Sequence, residues 1–541
     1  MYRIAFGLIV GEIIALQTPN LQAESPKPTV SPSADATAMA TRIDQLLAEA
    51  WAAKTITPAE PATDAEFLRR VYLDLAGRVP TVAEARGFLA DKQTDKRRHL
   101  IASLLHRPTY SRHFTTIWRH LLLPEAETNR QPLVFAGFDS WLHGQFERNV
   151  SFDQMVRELL TTPLDRPTPL KGINNLQGAT NPTPIGYYTA KEGKPENLAS
   201  SSARVFLGLR LECAQCHDHP FATWTRAQFW GLAAFYAGIR AQDRGNGLST
   251  IGAEVLDRRE LSIPGTNRVV QATFPDGTEP LWTSRLTPRQ TLAAWMTAKE
   301  NPYFARAAVN RVWAQLFGIG LIEPVDEMAG GQDTVIHHQA LLDELARAFV
   351  AQKFDLKFLL EAITSTKAYQ LSSRGKGQAA MFSRHSLRGL TGEQLYDSLS
   401  TATGQPDAAG GDDLLIRPNG GPRQEFLTKF GQQTSKPTEY ETSIIQALTL
   451  MNGNFVAQST RPKTGELLTA VIEAPFLNDR GRVETIYLAT LSRRPTEKEM
   501  EQALAFLVKA GSWDNPGEAQ SEALADLFWA LLNSAEFVFN H

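Results

Sequence analysis

The stretch Leu211-Glu-Cys213-Ala-Gln-Cys216-His217-Asp-His219-Pro220 holds both cysteines of the 541-residue chain, three positions apart, with a histidine directly after the second. Two amphipathic runs bracket it, and they set the fold reading. Before it, Leu198, Ser202, Val205, Phe206 and Leu209 fall on one helical face. After it, Phe229, Leu232, Ala233 and Tyr236 recur at i, i+3, i+4 and i+7. The motif is therefore expected at a helix–helix junction, ringed by Phe221, Trp224, Phe229, Trp230, Phe235 and Tyr236. Rings at this density suit an apolar haem pocket and an ordinary core equally well.

C-x-x-C-H is the attachment signature of c-type haem. Cys213 and Cys216 would add to the porphyrin vinyl groups, and His217 would supply the proximal imidazole nitrogen to the iron. Residues three and four apart share a helical face, so one turn suffices. The same thiol pair also suits a disulfide, although so short a loop is strained and reducible. Cys213, Cys216, His217 and His219 together offer donors to a metal ion, but adjacent ligands rarely close one tetrahedron. Haem c on Cys213, Cys216 and His217 is the reading carried forward, with His219 and His338 as further metal candidates. His219 lies too near His217 to reach the opposite face of an iron, so a distal ligand would come from His338, Met328 or Met451.

At the N-terminus Arg3 precedes an apolar run from Ile4 to Leu16, and Ala23 offers a small residue at a cleavage position. Residues 1–23 thus read as an export signal. The run falls short of the roughly 20 apolar residues a spanning helix needs. No later stretch qualifies, so no transmembrane helix is expected in the mature chain. Export to the periplasm or the exterior also suits covalent haem attachment or a stable disulfide. Residues 24–40, rich in Pro, Ser and Ala, read as a disordered tether. A net charge of −3 without a basic patch argues against a nucleic-acid partner.

The remainder reads as mainly α: two helical halves, 41–244 and 287–541, joined by a small β-rich insertion at 245–286. In the insertion, Glu260-Leu-Ser-Ile-Pro and Arg268-Val-Val-Gln-Ala-Thr-Phe274 are strand-like and meet at Gly265-Thr-Asn267. Helix starts are expected at Thr57-Pro-Ala-Glu60, Thr81-Val-Ala-Glu84, Thr287-Pro-Arg-Gln290, Thr391-Gly-Glu-Gln394 and Thr496-Glu-Lys-Glu499, all capping boxes. Two long Gly/Pro-rich loops occupy 163–197 and 404–440. The first, with a helix over 224–238, is expected to shield the Cys motif and bring Trp224 or Trp230 close to it. His99, His106, His113 and His120 recur every seven residues, but Pro108 interrupts any single helix, so they are expected on partly exposed helix surface. His337-His338 reads as a surface pair. No nucleophile elbow, P-loop, zincin helix or dinucleotide fingerprint is present.

Two longer stretches, Phe67-Leu-Arg-Arg-Val-Tyr-Leu-Asp-Leu-Ala-Gly-Arg-Val-Pro-Thr81 and Val205-Phe-Leu-Gly-Leu-Arg-Leu-Glu-Cys-Ala-Gln-Cys-His-Asp-His-Pro-Phe221, resemble the planctomycete cytochrome-c-associated family of exported proteins, a domain of unknown function numbered fifteen-forty-nine. Asn301-Pro-Tyr-Phe-Ala-Arg-Ala-Ala-Val-Asn-Arg-Val-Trp-Ala-Gln-Leu-Phe-Gly318 is similar to its usual partner, numbered fifteen-fifty-three. So are Gln446-Ala-Leu-Thr-Leu-Met-Asn-Gly453, Ala489-Thr-Leu-Ser-Arg-Arg-Pro-Thr496 and Leu532-Asn-Ser-Ala-Glu-Phe-Val-Phe-Asn-His541. The resemblance implies no established activity. It implies association with true cytochrome c modules, which relatives often carry at the N-terminus and which this chain replaces by a tether. The expectation is an exported protein carrying one c-type haem in an electron-transfer or redox-accessory role, with a redox partner. The alternatives are a haem-free extracellular binding or scaffold protein with a Cys213–Cys216 disulfide, and an accessory to hydrolysis of an extracellular polymer such as a glycan.

Overall fold

Ser33 and Thr63 open the two helices that frame the molecule, α1 (Ala34–Ala53) and α2 (Asp64–Ala76), each by accepting a first-turn amide hydrogen on its hydroxyl. This computed structural model describes residues 30–124, 132–164, 181–218, 223–243, 249–251, 254–405, 422–430, 453–511 and 515–541. The export signal and the first residues of the tether lie outside them. Residues 34–40, expected in the tether, are instead the first turns of α1. Ala36, Met39, Ala40 and Ile43 are buried there, which supplies the apolar contact a tether lacks.

Every residue of α2 from Phe67 to Ala76 is buried, as in a helix enclosed on all sides. Gly77 closes α2 in the left-handed conformation, at φ +71. The helix faces two cores. Phe67, Leu68, Val71, Tyr72 and Leu75 belong to the main one, which gathers residues from Ala36 to Phe382 and includes Leu488. Leu73 joins the second, built from Leu390 to Phe537.

Around α2 the main core is formed by α3 (Val82–Ala90), α4 (Lys96–Leu105), α5 (Pro108–Leu122), α6 (Pro132–Glu147), α7 (Phe152–Thr161), α8 (Ile185–Ala190), α9 (Pro195–Ser202) and α10 (Arg226–Ala233). It continues through α11 (Pro288–Met296), α12 (Phe304–Phe317), α13 (Gln339–Ala351) and α14 (Leu356–Thr364). Residues on both sides of the insertion therefore share one interior. The second core is carried chiefly by α15 (Gly392–Thr403), α16 (Asp479–Leu491), α17 (Glu497–Ala510) and α18 (Pro516–Leu532).

The protein is mainly α, with only two-stranded antiparallel sheets among the described residues. β3 (Glu260–Ser262) with β4 (Val269–Gln271) lies within the expected insertion, and β1 (Ala241–Asp243), just before it, pairs with β2 (Ser249–Ile251) inside it. β5 (Ile322–Glu323) with β6 (Val335–Ile336) and β7 (Arg388–Gly389) with β8 (Phe539–Asn540) fall outside it. Four of the five capping boxes form as expected. Thr57–Glu60 does not. The Ala59 and Ala62 amides reach across to the Ser383 and Gln370 carbonyls, and Pro61 disfavours helix at the residue before it. Among the described residues no helix is long and apolar enough to cross a membrane.

Within α2, three charged side chains are as buried as its leucines. Arg69 donates to the Thr490 and Phe537 carbonyls, and Arg70 to those of Tyr369 and Leu371. The Asp74 carboxylate accepts from Arg388 on both oxygens, from the Tyr369 hydroxyl and from the Asn540 amide. Buried charges persist only when paired and hydrogen-bonded. Asp74 thereby fastens β7 and β8 to the centre of the molecule.

Candidate functional site

The Cys motif hangs from a break in helix geometry. After α9 the chain makes a π-helical turn, Ala203–Leu207, which Gly208 ends at φ +64. A Cβ at Gly208 would lie 2.6 Å from Met328 Cγ, so both the conformation and the close approach require glycine. The Met328 amide donates to the Gly208 carbonyl at 2.8 Å, and Leu209 forms an antiparallel bridge with Glu327. The motif is thereby moored to a segment more than a hundred residues away in sequence.

A 3₁₀ turn, Glu212–Gln215, follows. Leu211 and Ala214 are buried, while Cys213, Cys216, His217 and Asp218 are exposed. In 3₁₀ geometry residues i and i+3 eclipse, which puts both sulfurs on the outer side with Ala214 turned inward. Both thiols are free. The motif was expected under shielding aromatic rings, but Trp224, Phe229, Trp230, Phe235 and Tyr236 are spent in the main core beneath it. Trp230 is close, as expected: its indole N–H donates to the Gln215 carbonyl at 3.0 Å. His219, Phe221 and residues 165–180 of the expected shielding loop lie outside the described residues.

His217 Nδ1 lies 2.8 Å from the Asp218 carbonyl oxygen. A carbonyl can only accept, so Nδ1 carries the hydrogen and the neutral ring keeps its lone pair on Nε2. That is the tautomer a metal-ligating imidazole uses. Nearby, Arg204 lies 3.8 Å from Glu212 and 3.2 Å from Asp326. Burial raises the Glu212 carboxyl above its usual range, and Arg204 opposes that rise.

A model described as PSCyt2, protein of unknown function (DUF1549), matches residues 42–241. A second, described as PSD1, protein of unknown function (DUF1553), matches residues 288–426. The chain belongs to the family that pairs these two domains. No curated protein and no solved structure matches it.

In this PSCyt2–PSD1 chain the Cys motif sits inside the first domain, and the remaining metal candidates are placed elsewhere. His338 is the N-cap of α13: Nδ1 accepts the Leu341 amide hydrogen at 3.1 Å, and Nε2 faces the Leu46 carbonyl at 3.3 Å. Both ring nitrogens are committed, which removes His338 as a metal or iron ligand. Met328 packs over Gly208, and Met451 lies outside the described residues. The seven-residue histidine series is divided between α4 and α5, or their ends, and each member has its own surroundings. His99 pairs with Asp95 and His120 with Glu393, while His113 packs on Gly77 and desolvation lowers it to about 4. All four are partly exposed or exposed, as expected of helix surface. Among the described residues no three His, Cys, Asp or Glu side chains converge to hold a metal ion.

Sequence reasoning missed Asp218 and Arg226, which flank the motif in space. The usable signal was Thr225-Arg-Ala-Gln228, a capping box that puts the start of α10 against the motif.

Proposed function

We propose that this PSCyt2–PSD1 protein is an exported carrier of one c-type haem, held by Cys213, Cys216 and His217, with an electron-transfer or redox-accessory role. The observation that carries the reading is the 3₁₀ turn, in which two free thiols share an accessible face beside an imidazole whose Nε2 has no hydrogen-bond partner among the described residues. The donor set fits the group: two sulfurs at attachment spacing and one nitrogen in the ligating tautomer. Cys213 and Cys216 would hold the group as thioethers, each thiol's sulfur and proton taken up by the two carbons of one vinyl group, and His217 would offer Nε2 to the iron. A bound haem supplies a one-electron couple. An exposed mount leaves that couple open to a redox partner docking on this face. Covalent haem attachment belongs outside the cytoplasm, which agrees with the export signal read in residues 1–23.

Expressed with its export signal and a haem-attachment system, the full chain should keep haem through acid–acetone extraction, because thioethers are covalent. Cys213→Ala and Cys216→Ala should each lose one bond, and the double variant all covalent haem. A colourless wild type lighter by two hydrogens than the reduced chain would replace this reading with a disulfide. Stoichiometric zinc would replace it with a metal site.

A further inference from the structure

We infer that Asp218 is a positioning residue for His217, joining its imidazole to the start of α10. The inference rests on the haem reading in one respect only, namely what His217 Nε2 is held open for. Asp218 acts at both ends. Its backbone carbonyl accepts the His217 Nδ1–H at 2.8 Å, and its carboxylate accepts the Arg226 amide hydrogen at 2.7 Å. The first turn of a helix has unpaired amides and a positive end, so a carboxylate there is stabilised. The Thr225 hydroxyl already accepts the Gln228 amide hydrogen. Asp218 thus takes an amide that the capping box leaves over.

The Arg226 side chain returns toward the motif from the same helix. Its Nε–H donates to the Gln215 carbonyl at 3.2 Å and an Nη2–H to the Pro264 carbonyl at 2.8 Å. Trp230, one turn further along α10, donates to the same Gln215 carbonyl. The helix therefore grips the chain on either side of Cys216 and His217, at Gln215 and at Asp218. An exposed histidine has no packing to fix its ring. A hydrogen bond on Nδ1 sets the tautomer and raises the basicity of Nε2, and its direction depends on where the Asp218 peptide is held.

The decisive measurement is the histidine-ring ¹⁵N spectrum of the full chain produced without haem, at a pH where imidazoles are neutral, with His217 assigned from His217→Gln. Wild type is expected to show the Nδ1–H tautomer. Asp218→Ala should move His217 toward the Nε2–H form that an unconstrained side chain prefers. Asp218→Asn should restore the wild-type pattern, since its amide oxygen can accept from Arg226. Arg226→Ala keeps the backbone donor and should leave the tautomer unchanged. In the haem-loaded chain, Asp218→Ala should keep its covalent haem yet bind added imidazole at about tenfold lower concentration than wild type, in the range typical of lost outer-shell partners. An Nε2–H tautomer in wild type would overturn the inference, as would an Asp218→Ala spectrum identical to wild type or an equal shift in Arg226→Ala. A wild type that takes up no haem would overturn the functional proposal, while the ¹⁵N spectra would still judge the brace.

Discussion

Replacing Asp74 by alanine should be among the most damaging single changes in this protein. The carboxylate is 3% exposed and accepts four hydrogen bonds, two from Arg388 at 2.8 and 2.9 Å, one from the Tyr369 hydroxyl at 2.7 Å and one from Asn540 at 2.8 Å. Its loss strands the Arg388 guanidinium, which is 7% exposed, and removing one partner of a buried pair costs about 3–5 kcal/mol. A neutral donor left without a partner costs about 1–3 kcal/mol more. With two such donors, even the low ends reach about 5 kcal/mol, comparable to the whole stability of many domains. Urea unfolding followed by far-UV circular dichroism should register the loss in the full chain. Amide exchange should accelerate at Phe539 and Asn540, where β8 depends on the same anchor. The double variant Asp74→Leu, Arg388→Met should be more stable than Asp74→Ala, because it strands no charge. A loss below about 1 kcal/mol in Asp74→Ala, or a double variant no better than the single, would refute the reasoning.

Acid should weaken the fold in two stages. His113 and His541 are both driven to about 4, chiefly by burial. Between about 4 and 6.5 the unfolded chain binds protons that the folded chain refuses, so their contribution is full above 6.5 and falls as pH drops, by at most about 1.4 kcal/mol per pH unit for each group. Below about 4.5 a second loss begins. Burial would raise Glu84 and Glu393, but Arg78 and His120 respectively outweigh it and pull each to about 2. Urea midpoints measured from pH 7 to 3 should trace this descent, and a flat profile between 6.5 and 4.5 would count against the burial of the two imidazoles. His338→Ala should cost about 1 kcal/mol through loss of the α13 cap, with faster exchange confined to the Leu341 amide and its first-turn neighbours. A change spread over the whole molecule would instead assign His338 a larger role.

Local chemistry was readable in the sequence, and distant pairing was not. Thr81 with Glu84, or Thr496 with Glu499, places donor and acceptor three residues apart, so the capping box follows from the string of letters alone. Thr57 with Glu60 has the same letters, yet the Ser383 and Gln370 carbonyls claim that segment as an extended edge. The start of α1 was hidden for a related reason. Three prolines among residues 24–33 suggest a tether, whereas Ser33 donates its amide hydrogen to Glu361, 328 residues later, and docks the helix there. Arg69, Arg70 and Asp74 interrupt an apolar run and would ordinarily mark a solvent-facing stripe. Apart from Glu66, one turn before Arg70 on the same helix, the partners named for them come from residues beyond 365, so little near α2 announces their burial.

The Cys motif divides along the same line. Residue types and spacing located Cys213, Cys216 and His217, and their proximity to Trp230 was legible because α10 follows directly in sequence. Their exposure was not legible, since a turn with one buried residue between two cysteines looks the same whichever side meets solvent. The aromatic residues nearby suggested a roof, but a ring adjacent in sequence can equally form the floor, and the main core claims these. That placement changes what the site requires. A buried ligand is locked by packing, whereas an exposed imidazole must be held by hydrogen bonds from a rigid element. The start of α10 supplies such an element, its amide to Asp218 and its Trp230 indole to Gln215. If a haem is mounted here, the geometry of its histidine depends on a helix that contributes no ligand of its own.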